Sequence, residues 1–141
     1  MVEFAVVLPV FIALILGILY FSRYENYANQ ETQLAEQGAR WAAINVNPGT
    51  SGQTLQQYIQ AQASPELANG SGDVTAPIKA YIYNPTGSTT SVRVCVTATV
   101  TFPTPIGVPT TTIAESATMH IEQATTNWTA STGMPTQCPT A

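Results

Sequence analysis

Between Phe4 and Phe21 every position is apolar, eighteen in succession, and Glu3 stands as an acidic group just ahead of them. A helix of about 20 apolar residues crosses a bilayer, so the run is long enough to span one. Beyond Phe21 the polarity changes but a helical spacing persists. Tyr20, Tyr24, Tyr27, Leu34, Trp41 and Ile44 recur at steps of three, four or seven, which keeps them near one face. Glu25, Gln30, Glu31, Gln33, Glu36 and Gln37 are good helix formers on the wetter side. Ala35, Gly38, Ala39, Ala42 and Ala43 add a small-residue surface that lets a sheet or another helix approach closely. Asn47-Pro48-Gly49 stops the pattern. One helix from Val2 to about Val46 is predicted, roughly 65–70 Å long at ~1.5 Å per residue, with less than half of it inside a membrane. Pro9 and Gly17 weaken it, and a kink or local unwinding is expected near the carbonyl of Ala5 without ending the helix.

Ser51 to Ala63 predicts a short second helix, capped by Ser51 or Thr54, with Leu55, Tyr58 and Ile59 at helical spacing and Pro65 after its end. Ala68 to Asp73 has the composition of a flexible loop. The pattern then becomes β. Thr75–Tyr83 is a first strand, Asn84 to Ser88 a turn, and Thr90–Phe102 a second strand. In that second strand Val92, Val94, Val96, Ala98, Val100 and Phe102 alternate with Arg93, Cys95, Thr97, Thr99 and Thr101. After Pro103, Pro105, Gly107 and Pro109, Thr110–Gln123 predicts a third strand with Ile113, Ala117, Met119 and Ile121 inward. Connections of these lengths favour an antiparallel meander. Its apolar face needs a cover, and the long element at hand is the second half of the first helix, through Leu34, Gly38, Trp41 and Ile44. The fold class is therefore α+β: a long N-terminal helix packed on a small antiparallel meander of three to four strands. Residues 1–46 form the stem, with 1–22 as its membrane or filament part and 23–46 packing on the sheet. Residues 47–141 form a β-rich head with a short helix at 51–63 and an irregular Thr/Pro-rich tail from Thr125.

At 141 residues the chain has room for one small domain beside the apolar segment. Charged residues make up 9% of it, against roughly 25% in an ordinary globular protein, so its surface is built from Thr, Ser, Asn and Gln. Net charge is −4, and Arg23, Arg40, Lys79 and Arg93 are scattered with no basic stripe, which excludes a phosphate-binding face and hence nucleic acid as a partner. Cys95 and Cys138 lie 43 positions apart, outside metal-ligand spacing. In an extracytoplasmic domain they read as one disulfide that pins the tail across the Thr/Arg face of the second strand; two buried free thiols are the alternative reading.

Three stretches resemble the TadE-like family of pilins and pseudopilins, secreted through tight-adherence pilus machinery related to type IV pili. They are VEFAVVLPVFIALILGILYFSR at 2–23, EQGARWAA at 36–43, and VTATVTFPTPI at 96–106 followed by ESATMHIE at 115–122. Val-Glu-Phe-Ala ahead of a Leu-Pro-containing apolar helix is the most specific of them. The resemblance implies a structural subunit. Its helix would sit in the inner membrane and then polymerise with identical subunits into an extracellular, Tad-related pilus serving adhesion, handled by a prepilin peptidase and membrane assembly machinery. The other reading is a minor pseudopilin, or a membrane-anchored or tip adhesion module without a filament of its own. The acidic residue usually stands fifth after the peptidase cut, whereas Glu3 is third from Met1. That points to a precursor extending upstream or to an unusual mature start.

Glu3, Phe4, Pro9 and Gly17 are the candidate assembly residues. A carboxylate at the tip of an apolar helix is costly to bury alone, and the resemblance supplies the N-terminal amine of a subunit as its partner. Without the resemblance, Glu3 simply reaches the membrane interface and favours the positive end of the helix dipole. Asn69-Gly70-Ser71 and Asn127-Trp128-Thr129 fit the glycosylation acceptor pattern, so Asn69 and Asn127 are candidate glycan sites. His120 is the single histidine, and no nucleophile–base pair, phosphate loop or metal cluster is visible, so neither catalysis nor a cofactor is expected.

Overall fold

The computed structural model describes residues 2–44, 54–84, 90–102, 110–121 and 135–138. Its elements are α1 (Val2–Ile44), α2 (Leu55–Gln62), α3 (Pro65–Asn69), β1 (Val74–Tyr83), β2 (Ser91–Thr101) and β3 (Thr110–His120). The fold is α+β, with one antiparallel sheet in the order β1-β2-β3. The expected breaks at Asn47-Pro48-Gly49, Ser51 and the Pro-rich turns lie outside the described residues.

α1 runs without interruption through Pro9. The expected local unwinding is not seen, because a proline this close to the start removes one backbone bond and leaves the rest of the ladder intact. α2 begins at a capping box: Thr54 Oγ1 accepts from the Gln57 amide, while the Thr54 amide donates to Gln57 Oε1. The segment read as a loop from Ala68 in fact starts helical. Pro65 opens α3 at its first turn, and Gly70, at φ +66°, ends it in the left-handed region. A Cβ at Gly70 would also lie 2.6 Å from the Ala76 carbonyl carbon, so the turn into β1 requires glycine twice over.

The core face of the sheet comprises Val74, Ile78 and Ile82 from β1, Val92, Val94, Val96, Ala98 and Val100 from β2, and Ile113 from β3, followed by Ile121. α1 covers β2 and β3, while α2 and α3 cover β1. The outer face is laced by polar cross-strand pairs. Thr99 meets Thr112, Thr101 meets Thr110, and Arg93 Nε donates to Thr118 Oγ1 at 2.7 Å. Pro77, which has no amide to donate, sits in β1 among irregularities of register, as expected of an edge strand. The exposed edge of β1 is occupied by Gln56, whose Nε2 donates to the Ile78 carbonyl at 2.6 Å and whose Oε1 accepts from the Ala80 amide at 2.8 Å. One side chain thus stands in for a neighbouring strand and blunts the edge against further pairing.

Candidate assembly stem and its junction with the head

α1 is two structures on one backbone. From Phe4 to Phe21 most of the described large apolar side chains are exposed, Tyr20 and Leu16 being half-buried: Phe4, Val10, Leu14, Ile18 and Phe21 are all at least half bare. It is the one helix among the described residues long and apolar enough to cross a membrane. Of the candidate assembly residues, Phe4 is 72% exposed, and a Cβ at Gly17 would meet nothing within 4 Å. Gly17 and Ala13 lie one turn apart in a shallow apolar groove with Val10, Leu14, Ile18 and Phe21. Pro9 lies within the helix, and the backbone of Glu3 belongs to its first turn.

The second half behaves differently. Tyr27, Glu31, Leu34, Ala35, Gly38, Ala39, Ala42 and Ala43 are buried against the head, so the small residues form the packing face itself. Gly38 marks the closest approach: a Cβ there would stand 2.8 Å from Ile59 Cδ1 and 3.1 Å from Val94 Cγ1. Leu34 packs in the same core, and Trp41 is half-buried at the rim, stacked on Tyr58 with ring centroids 5.5 Å apart. Ile44 does not join them. It is 72% exposed, because five residues beyond Ala39 places it about 140° around the helix, on the far side from the sheet.

Three contacts fix the head at the foot of this face. The Tyr20 ring lies 6.3 Å from that of Phe102, just past the end of β2. Arg23 Nη1 pairs with Asp73 Oδ2 at 2.8 Å, and the Tyr27 hydroxyl donates to Glu66 Oε2 at 2.7 Å. Burial, and then the Glu66 carboxylate beside it, push the Tyr27 phenol up to about 12, so it remains a donor. The head therefore begins within a turn of the bare apolar run.

Glu31 corrects the expectation of a wet position. It is fully buried where α1 crosses the sheet, and no donor reaches either oxygen in hydrogen-bonding geometry. Burial, reinforced by Glu115 on β3, raises its carboxyl to about 9, and the Ala98 backbone opposes this only in part. The one signal available in the sequence was its place a turn from both Tyr27 and Ala35.

On the opposite face of the sheet, Cys95 is bonded to Cys138 with Cα atoms 5.9 Å apart. Tyr83 and Cys138 are buried around it, and Tyr81 and Ala114 pack on the cluster. Cys138 is thus held on the outside of β2. Asn69 is exposed at the end of α3, while Asn127 lies outside the described residues. His120 is exposed, with Nδ1 2.6 Å from the Thr90 carbonyl. Among the described residues no cluster of His, Cys, Asp or Glu has the makings of a metal site.

The geometry defines a stem-and-head protein whose bare N-terminal helix is able to anchor it in a membrane. Within it, residues 1–40, the bare run together with the start of the packed face, are similar to the family model described as TadE-like protein. The likeness noted at 96–106 and 115–122 falls beyond the match. No curated protein and no solved structure matches the chain.

Proposed function

We propose that this protein is a structural pilin subunit. Its stem resides in the inner membrane and then polymerises with identical subunits into an extracellular filament of the Tad-related, type IV-like kind, with the heads outside, serving adhesion. The observation that carries this reading is the apolar half of α1, which leaves most of its large side chains from Val7 to Phe21 bare and continues as one helix into a head that begins within one turn of it. Covering a Leu, Ile or Phe side chain yields roughly 1.5–3 kcal/mol, so such a surface demands lipid or other helices around it. Neighbouring stems satisfy the same side chains that lipid does, which is what transfer from membrane to filament requires. In this reading Glu3 sets register by meeting the N-terminal amine of a neighbour, and a prepilin peptidase and membrane assembly machinery act before polymerisation.

Negative-stain imaging of sheared surface material tests the proposal: long homopolymeric fibres of this chain are expected, and copies found only as monomers in detergent or sparsely within another protein's fibre would overturn it. Glu3→Ala is expected to remove most filaments while membrane insertion persists, so a normal filament yield from that variant counts against the role of Glu3.

A further inference from the structure

Glu31 is the charged side chain on the face of α1 that meets the sheet. It is 0% exposed, with Tyr27 one turn below and Ala35 one turn above, both also buried. Neither oxygen has a partner in full hydrogen-bonding geometry, and the nearby Ala98 backbone offsets the burial of the charge only in part. The groups around it do not compensate its charge. From β2 the core-facing side chains are Val94, Val96, Ala98 and Val100, none of them titratable. From β3 comes Glu115, paired in register with Val96 and half-buried, a second carboxylate acting on the first. From α2 the buried side chains are Leu55 and Ile59, and α3 contributes Glu66, engaged with the Tyr27 hydroxyl. The basic residues are placed elsewhere: Arg23 on Asp73, Arg93 on Thr118 at the outer face, and Arg40 and Lys79 exposed.

An ionised carboxylate in such a place costs several kcal/mol, and the inexpensive remedy is a proton. We propose that the seam between α1 and the sheet is a proton-linked joint, closed while Glu31 is neutral and weakened when Glu31 ionises beside Glu115. The sign follows from linkage. The carboxyl titrates near 4.5 in the unfolded chain and near 9 in the folded one, so the folded state holds the proton more tightly. The stabilisation is fully present below about pH 4.5 and is lost as pH rises toward about 9, by up to about tenfold in the unfolding equilibrium per pH unit. The head therefore grips the stem most firmly in acid. This inference does not depend on filament formation.

The test uses the full chain in detergent micelles. Trp128→Phe leaves Trp41, stacked on Tyr58 at this seam, as the single indole reporter, and thermal melting of the unaltered chain runs in parallel. Between pH 5 and 10 the Trp41 emission is expected to shift to the red and the melting temperature to fall. Glu31→Gln should flatten both profiles, with Glu31→Leu as the second variant where the amide does not fold. Glu115→Gln should let Glu31 ionise at a lower pH in the folded chain, moving the Trp41 profile toward acid and shrinking the total fall in melting temperature, because removing the second carboxylate relieves the repulsion that ionised Glu31 meets on the folded side. Profiles in Glu31→Gln and Glu31→Leu that follow the parent would overturn the proposal, as would a Glu115→Gln emission profile displaced toward alkali.

Discussion

From Val7 to Leu19, α1 leaves nearly all of its large apolar side chains bare, whereas from Tyr27 to Ala43 one face is buried and the other carries Gln and Glu. The backbone is the same helix in both halves. The difference lies in side-chain size as much as in polarity. Where the helix is bare, its residues are large, and Gly17 and Ala13 form an open groove. Where it is packed, Ala and Gly bring its axis down onto Val94 and the end of Ile59. A helix that must be covered by lipid or by like helices offers bulk all round. A helix that must seat one particular sheet gives up bulk on one face to gain close approach.

Separating the two halves by mutation is the way to break that comparison. The largest effect is expected in the head alone: Cys95→Ala with Cys138→Ala opens a 43-residue closure, and chain entropy puts the loss at about 4 kcal/mol, read by denaturant unfolding. Membrane partition of the stem should not change. Leu14→Lys should do the opposite. A lysine mid-span disfavours insertion by about 3 kcal/mol, so the protein should leave the membrane fraction while head melting stays within about 0.5 kcal/mol of the parent. Gly38→Leu forces a side chain into space already held by Ile59 and Val94, and should cost about 1–3 kcal/mol of head stability with insertion intact. Smallest is Arg23→Ala at the junction. Its guanidinium is mostly exposed, so a loss of about 0.2–1 kcal/mol is expected, fading in high salt. A head that melted earlier in Leu14→Lys, or a stem that failed to insert in Gly38→Leu, would mean that the halves are coupled.

The chain's own pattern was sufficient for the long helix, the strict alternation of β2, and a Cys95 pointing away from the core. Each of these is a local periodicity that survives whatever packs against it. The family match likewise lies in the stem, where the pattern is densest. Other features were invisible at that level. α3 hides in a short stretch whose proline and glycine read as loop, because five residues leave too little periodicity to see. Ile44 shared an apolar spacing with Tyr27 and Trp41, yet the helix turns it away from the sheet.

Glu31 marks the division most plainly. By composition it belongs with Glu25, Gln30 and Glu36 on a wet helix face, and the sequence by itself determines only that it is helical. Whether a helical glutamate meets water or a sheet depends on where the sheet lies around the helix. That angle is set by the small face of Ala35, Gly38, Ala39 and Ala42 seating on β2 and β3. Once those residues are down, Glu31 has no route to solvent, and a side chain chosen for solubility becomes a buried acid.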